Sequence, residues 1–175
     1  MLKITAIVVA VLLVSLGAFV ATRPDGFRIE RSVRIQAPPD RIYPLINDLH
    51  AWGQWSPWEK VDPALQRTYS GQAAGVGAAY EWQGNRDVGS GRMEITQSAP
   101  PSQVVIKLDF LQPFEAHNTA EFALQPAGDA TTVTWAMYGP NTLLGKVMSL
   151  FFDMDSMVGP QFETGLANLK QVAEK

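Results

Sequence analysis

Few side chains in this sequence are able to do chemistry. There is no cysteine, and the histidines are His50 and His117. Thiolate nucleophiles, disulfides and cysteine-ligated zinc or iron–sulfur sites are therefore excluded. Two histidines do not make a His-rich metal site. His117 has no evident acid or serine partner, which leaves it a weak general base. Asp153 and Asp155 flank Met154, but residues two apart on a helix point apart, so a solvated polar face is the expected reading. Gly75-x-Gly77 and Gly89-x-Gly91 lack a third glycine, a following helix and a Lys-Ser/Thr, so they read as hairpin turns and not phosphate loops. No catalytic residue, metal ligand or cofactor is assigned.

Two polar residues stand out because the alternation around them points inward. Asn118 shares parity with Ala120, Phe122 and Leu124. A buried amide needs partners, and Asn118 is either a structural hydrogen bond or a polar handle for a ligand. Arg31 falls on the apolar side of FRIERSVRIQ, either exposed at the strand end or meeting a ligand carboxylate. His117 has the opposite parity and points outward.

The elements that position these residues follow from periodicity. Residues 27–36 alternate as a half-buried strand. Ala37-Pro38-Pro39-Asp40 stops it and opens a helix carrying Ile42, Leu45, Ile46 and Leu49. Trp52, Trp55 and Trp58 follow, with Gly53 and Pro57 between them. This cluster is a packed aromatic corner, a pocket mouth or a membrane-interface contact. Six further alternating runs, separated by turn signals such as Gly84-Asn85 and Gly128-Asp129, predict an antiparallel sheet over residues 65–138. From Val147 to Val172 the spacing becomes 3-4, which predicts an amphipathic helix with a kink or break at Gly159-Pro160.

The amino-terminal segment differs from the rest. Residues 4–22 carry no charge and would span roughly 28 Å as a helix, close to the hydrocarbon thickness of a bilayer. A cleaved signal peptide is the alternative, but no good small-x-small cleavage site is present. The organisation is thus a transmembrane anchor or signal segment at 1–22, a linker at 23–26 and one domain at 27–175. Lys3 alone before the apolar run places that domain on the extracytoplasmic side; Arg23, Arg28, Arg31 and Arg34 argue for the other. The formal net charge is −3, which argues against nucleic-acid binding. A monomer is expected.

Several stretches resemble one superfamily. RSVRIQAPPDRIYPLINDLHAWGQWSPWEK is similar to the opening strand, helix and Trp-rich turn of the START / polyketide-cyclase / birch-pollen-allergen superfamily, SRPBCC. GVGAAYEWQGN with GSGRMEIT resembles its central hairpin, NTAEFALQPAGDATTVTW its last hairpin, and FFDMDSMVGPQFETGLANLKQVAEK its closing helix. The resemblance implies an α+β helix-grip fold: a curved antiparallel sheet of about seven strands around a long C-terminal helix, with an apolar cavity between them. Alternation alone equally describes a solid core.

With that cavity in mind, alternation names its walls. From the strands they include Tyr80, Trp82, Met93, Phe110, Asn118, Phe122 and Trp135. Phe151 and Met154 come from the helix, and Trp58 from the mouth. The function expected is membrane-tethered, non-catalytic binding of a hydrophobic small molecule or lipid. A polyketide cyclase/dehydrase-type enzyme and a filled-core interaction domain are the alternatives.

Overall fold

The computed structural model describes residues 2–149 and 153–175, without the side chains of residues 2, 6, 8, 9, 12, 13 and 144. Helix α1 (Leu2–Thr22) precedes strand β1 (Gly26–Ile35) and helix α2 (Pro39–Asn47). Two 3-10 turns, Leu49–Gln54 and Pro57–Lys60, carry the chain across. The strands β2 (Gln66–Gly71), β3 (Ala78–Gln83), β4 (Ser90–Ala99), β5 (Gln103–Gln112), β6 (Ala116–Ala127) and β7 (Ala130–Pro140) then follow. Helices α3 (Leu143–Met148) and α4 (Met154–Ala173) end the chain.

Among the described residues the strands form one 7-stranded sheet in the order β1-β7-β6-β5-β4-β3-β2, every neighbour antiparallel. Short hairpins explain the run from β2 to β7. Only β1 pairs out of order, beside β7, because α2 and the 3-10 turns carry the chain to the far edge. The register of β4 shifts at Ser90/Gly91 and Ile95/Gln97, and such irregularities bend a sheet. Helix α4 lies along β1 and buries Phe162, Leu166, Leu169 and Ala173, a 3-4 stripe on one face.

The predicted break in the last helix lies elsewhere. Helix α4 runs through Gly159 and Pro160 without interruption, and the helical path ends instead before Asp153. Asp153 is the N-cap: its side chain accepts from the Asp155 backbone N–H at 3.2 Å. Pro160 stands in the second turn and gives up one backbone donor there. Phe151 lies outside the described residues. The expected face of α4 is also corrected at its start, since Met154 and Met157 are 49 % and 61 % exposed.

The helix expected over residues 4–22 is present as the 21-residue α1. Counted over the described residues alone, no helix is long and apolar enough to cross a membrane.

Candidate functional site

Cross-strand register turns parity into neighbours. One row on the concave face runs Tyr69, Tyr80, Met93, Leu108 and Asn118, each in register with the next. A parallel row runs Trp82, Gly91 and Phe110. A third, deeper row carries Val104, Phe122, Trp135 and Arg31. The expected site residues thus divide into two groups.

The deep row is filled. Trp135 stacks on Phe162 of α4 at 4.2 Å and 3°, and on Phe122 at 4.9 Å. Trp52, Trp55 and Trp58 meet Trp135 edge-on at 5.6–6.3 Å. Gly165 permits the close approach of α4, since a Cβ there would stand 2.8 Å from Trp135 Cζ3. Trp52 Nε1 donates to the Ile46 carbonyl and Trp55 Nε1 to that of Leu45, at 3.0 and 2.8 Å. These two tryptophans therefore pin α2 and the turn after it to the sheet. Trp135 Nε1, by contrast, is a buried donor with no hydrogen-bond partner among the described residues. Phe122 and Trp135, expected as cavity walls, here pack directly against one another and the helix.

The two shallower rows are open at one end. Along β5, Val104 and Ile106 are buried but Leu108 and Phe110 are half-buried. Along β6, Phe122 and Ala120 are buried but Asn118 is half-buried. Phe27 on β1 and Gly139 on β7, which are in register, are half-buried too. The cause is the length of α4. Its first turn sits over Arg31, five residues into β1, so about 16 Å of strand projects beyond it.

Asn118 lies in this open half. Its amide rests over Gly139, where a Cβ would collide with Oδ1, and its side chain makes no hydrogen bond among the described residues. Phe110 meets Trp82 edge-on at 5.8 Å. Trp82 lies flat across Gly91, where any Cβ would strike its ring, and its Nε1 reaches the Val88 carbonyl at 3.4 Å. Tyr80, Trp82 and Met93 are buried and form the far wall.

Sequence reading missed the polar group behind that wall. Tyr80 Oη donates to Glu59 Oε1 at 2.8 Å, and Arg67 Nε donates to Glu59 Oε2 at 2.6 Å. The Glu59 side chain is only 7 % exposed. Burial, and then the Glu59 carboxylate, push the Tyr80 phenol above its usual range, so it stays protonated. Tyr69 stacks on Tyr80 at 5.0 Å and His50 on Tyr69 at 4.0 Å. In the sequence, Glu59 stands between Trp58 and Lys60 and reads as surface charge.

The remaining candidates have structural partners. Arg31 donates to Asp155 Oδ1 and Oδ2 at 2.9 and 2.8 Å, and to Glu163 Oε1 at 2.8 Å. Donating to Asp155, and then to Glu163, raises its pKa further. It clamps α4 to β1 and is not available to a ligand, and Asp155 has a partner rather than only solvent. His117 is exposed on the outer face, as expected, but has an acid partner across the strands: Nδ1 stands 2.7 Å from Asp109 Oδ1. No serine, cysteine or cavity adjoins that pair in the described contacts. Among the described residues no group of three or more His, Asp or Glu could hold a metal ion.

The fold resembles protein CV1439 from Chromobacterium violaceum, with TM-score 0.60 and 15% identity over 87% of this chain and 99% of that one. It also resembles the Aha1 dimer from Colwellia psychrerythraea, with TM-score 0.56 and 19% identity over 85% and 96%. The di-domain ARO/CYC BexL from the BE-7585A biosynthetic pathway gives TM-score 0.64 and 16% identity. That match covers 90% of this chain and 53% of BexL, about half of the larger protein. Identities this low carry the fold and nothing more. No curated protein matches the chain. Residues 26–174 match the family described as polyketide cyclase / dehydrase and lipid transport, and the chain belongs to that family.

Proposed function

We propose that this protein is a membrane-tethered binder of a hydrophobic small molecule or lipid, non-catalytic, with its ligand in the open half of the grip. The carrying observation is the half-buried apolar patch of Phe27, Leu108 and Phe110 around an inward amide, Asn118, that has no hydrogen-bond partner among the described residues. An apolar recess with one convergent polar group is the usual form of a small-molecule site. The ligand's body lies against Leu108 and Phe110, and its polar end meets Asn118. The family description, which includes lipid transport, agrees with this reading.

The tether reading rests on α1. Its 21 residues would reach about 31 Å, and Ile4, Ile7, Val11 and Val14 are 58–72 % exposed, with no protein cover. A bilayer is the natural solvent for such a surface. The domain lies on the extracytoplasmic side, on the strength of Lys3 standing alone before the segment, and is a monomer.

An enzyme of the cyclase/dehydrase type is the second reading. It is favoured by the rest of the family description and by one observation: Tyr80, paired with Glu59, shares a row with Asn118. A protonated phenol backed by a carboxylate is an acid–base pair just behind the wall that a bound polyketide would meet.

The experiment is titration of residues 23–175 with long-chain fatty acids and phospholipids, read by tryptophan emission from Trp82. An acyl chain burying about 400 Å² gains about 10 kcal/mol, and ordering costs leave an affinity in the micromolar range. Saturable change is expected, abolished by Leu108→Asp and with altered head-group preference in Asn118→Leu. If no lipid, sterol or polyketide-like compound changes the emission saturably, the binder reading gives way to a filled-core interaction domain. Turnover of a polyketide-like compound, lost in Tyr80→Phe, would favour the enzyme.

A further inference from the structure

Helix α3 stands beside the last turns of α1, and a groove of about 630 Å³ lies between them. Its walls are mostly apolar: Leu16, Val20 and Ala21 from α1, Leu143 and Val147 from α3. Val20 is 8 % exposed, whereas Leu143, at 71 %, stands at the rim. Gly17 faces open space, since a Cβ there would meet nothing within 4 Å. Among its described lining residues the groove holds one cation, Lys146, whose side chain is only 13 % exposed. Its amine donates to Asp25, which is 99 % exposed and thus held by little else.

We infer that this groove holds an anionic phospholipid, its phosphate on Lys146 and an acyl chain along α1 past Gly17. The inference rests on the reading of α1 as a membrane anchor, which puts these last turns at the bilayer surface. Charge decides the class of occupant. A lysine drawn into an apolar groove needs an anion, and its only partner among the described residues is a solvent-exposed carboxylate that a phosphate displaces at small cost. The shape agrees, because Gly17 leaves room for a chain lying against the helix. The groove also adjoins the proposed ligand site along the chain: only residues 140–142 separate Gly139, which lies under Asn118, from α3. A lipid seated here lies beside the way into the grip.

The test uses the full chain in phosphatidylcholine vesicles containing a diazirine-bearing phosphatidylglycerol, with labelled residues mapped after irradiation. Labelling is expected at residues 4–14, which report the anchor, and at residues 143–147, which report the groove. Lys146→Gln removes a charge-assisted hydrogen bond and lowers the groove signal about tenfold. Gly17→Phe, whose Cβ meets nothing within 4 Å, puts a ring in the chain's path and lowers the signal similarly, while Asp25→Asn raises it. All three variants leave labelling of residues 4–14 unchanged. If residues 4–14 are labelled but the groove is not, or the groove signal ignores these substitutions, the lipid site is wrong and the anchor stands. If residues 4–14 are unlabelled, the anchor fails and the lipid site falls with it.

Discussion

Two glycines on α4 should respond oppositely to the same substitution. Replacing an interior helical glycine by alanine ordinarily stabilises by about 0.5–1 kcal/mol. At Gly165 the new Cβ arrives 2.8 Å from Trp135 Cζ3 and 3.1 Å from Pro57 Cδ. Neither neighbour can give way, because Trp135 is 3 % exposed and stacked on Phe162 at 4.2 Å. Overpacking of this kind costs about 1–3 kcal/mol, so Gly165→Ala should lose about 1–2 kcal/mol net. At Gly159 the Cβ meets the guanidinium end of Arg31, a flexible side chain in an exposed ion pair. Arg31 can swing aside, and Gly159→Ala should be at least as stable as the parent. The assay is urea and thermal unfolding of both variants by tryptophan emission. A loss of about 1–2 kcal/mol lowers Tm by about 2–8 °C in a domain of this size. If Gly165→Ala melts at or above the parent, α4 does not press on Trp135, and the deep row contains space that a ligand enters.

Three other outcomes follow from the described contacts. The hydrogen bond to Asp109 raises the pKa of His117 above its unfolded value. The stability it contributes is therefore full below about pH 6.5 and lost as pH rises through the folded pKa. His117→Gln should flatten stability against pH in that window, and NMR titration of His117 in Asp109→Asn should show a lowered pKa; an unshifted His117 in the parent would remove the pair. Glu59→Gln takes away the charge that, after burial, raises the Tyr80 phenol, so ultraviolet titration should find that phenol ionising at lower pH, and no change would mean the contact is absent in solution. High-salt and carbonate washes should leave the full chain in the membrane fraction and release residues 23–175, and co-elution of the full chain with soluble protein would exclude the tether.

Much of the fold was legible because alternation needs no partner. Residues 27–36 and the six later runs announced their strands and their faces, and Phe122, Trp135 and Asn118 fall on the side that parity assigned. Parity does not say which residues become neighbours. The row from Tyr80 through Met93 to Asn118 exists only once strand register is known. Arg31 found Asp155 and Glu163 across more than a hundred residues, a pairing with no local trace. The end of the last helical run was misjudged because 3-4 spacing persists from Val147 through Val172, although α3 ends at Met148 and α4 begins at Met154. Pro160 looked like the breaker, but Asp153 capping the backbone of Asp155 was the stronger signal. Whether parity encloses space or a packed core is a matter of volume. Gly165 and the Phe122–Trp135–Phe162 stack settle that for the deep row, and no spacing rule foretells it.

The pairing of β1 with β7, Gly26 opposite Pro140, has a consequence for how the chain is made. The first strand synthesised must wait for the last, more than a hundred residues later, before either edge of that seam is satisfied. Helix α4, which lies along β1, arrives later still. Native contacts so distant in sequence slow folding. They also leave β1 with unpaired backbone groups and an apolar face while β2 to β6 assemble as local hairpins. If α1 is already in a bilayer, that waiting edge is held at the membrane surface, where neighbouring nascent chains are held too. Closure of the sheet is then a race between β7 and edge-to-edge pairing with another copy. A chain interrupted anywhere before residue 130 has no strand of its own with which to finish.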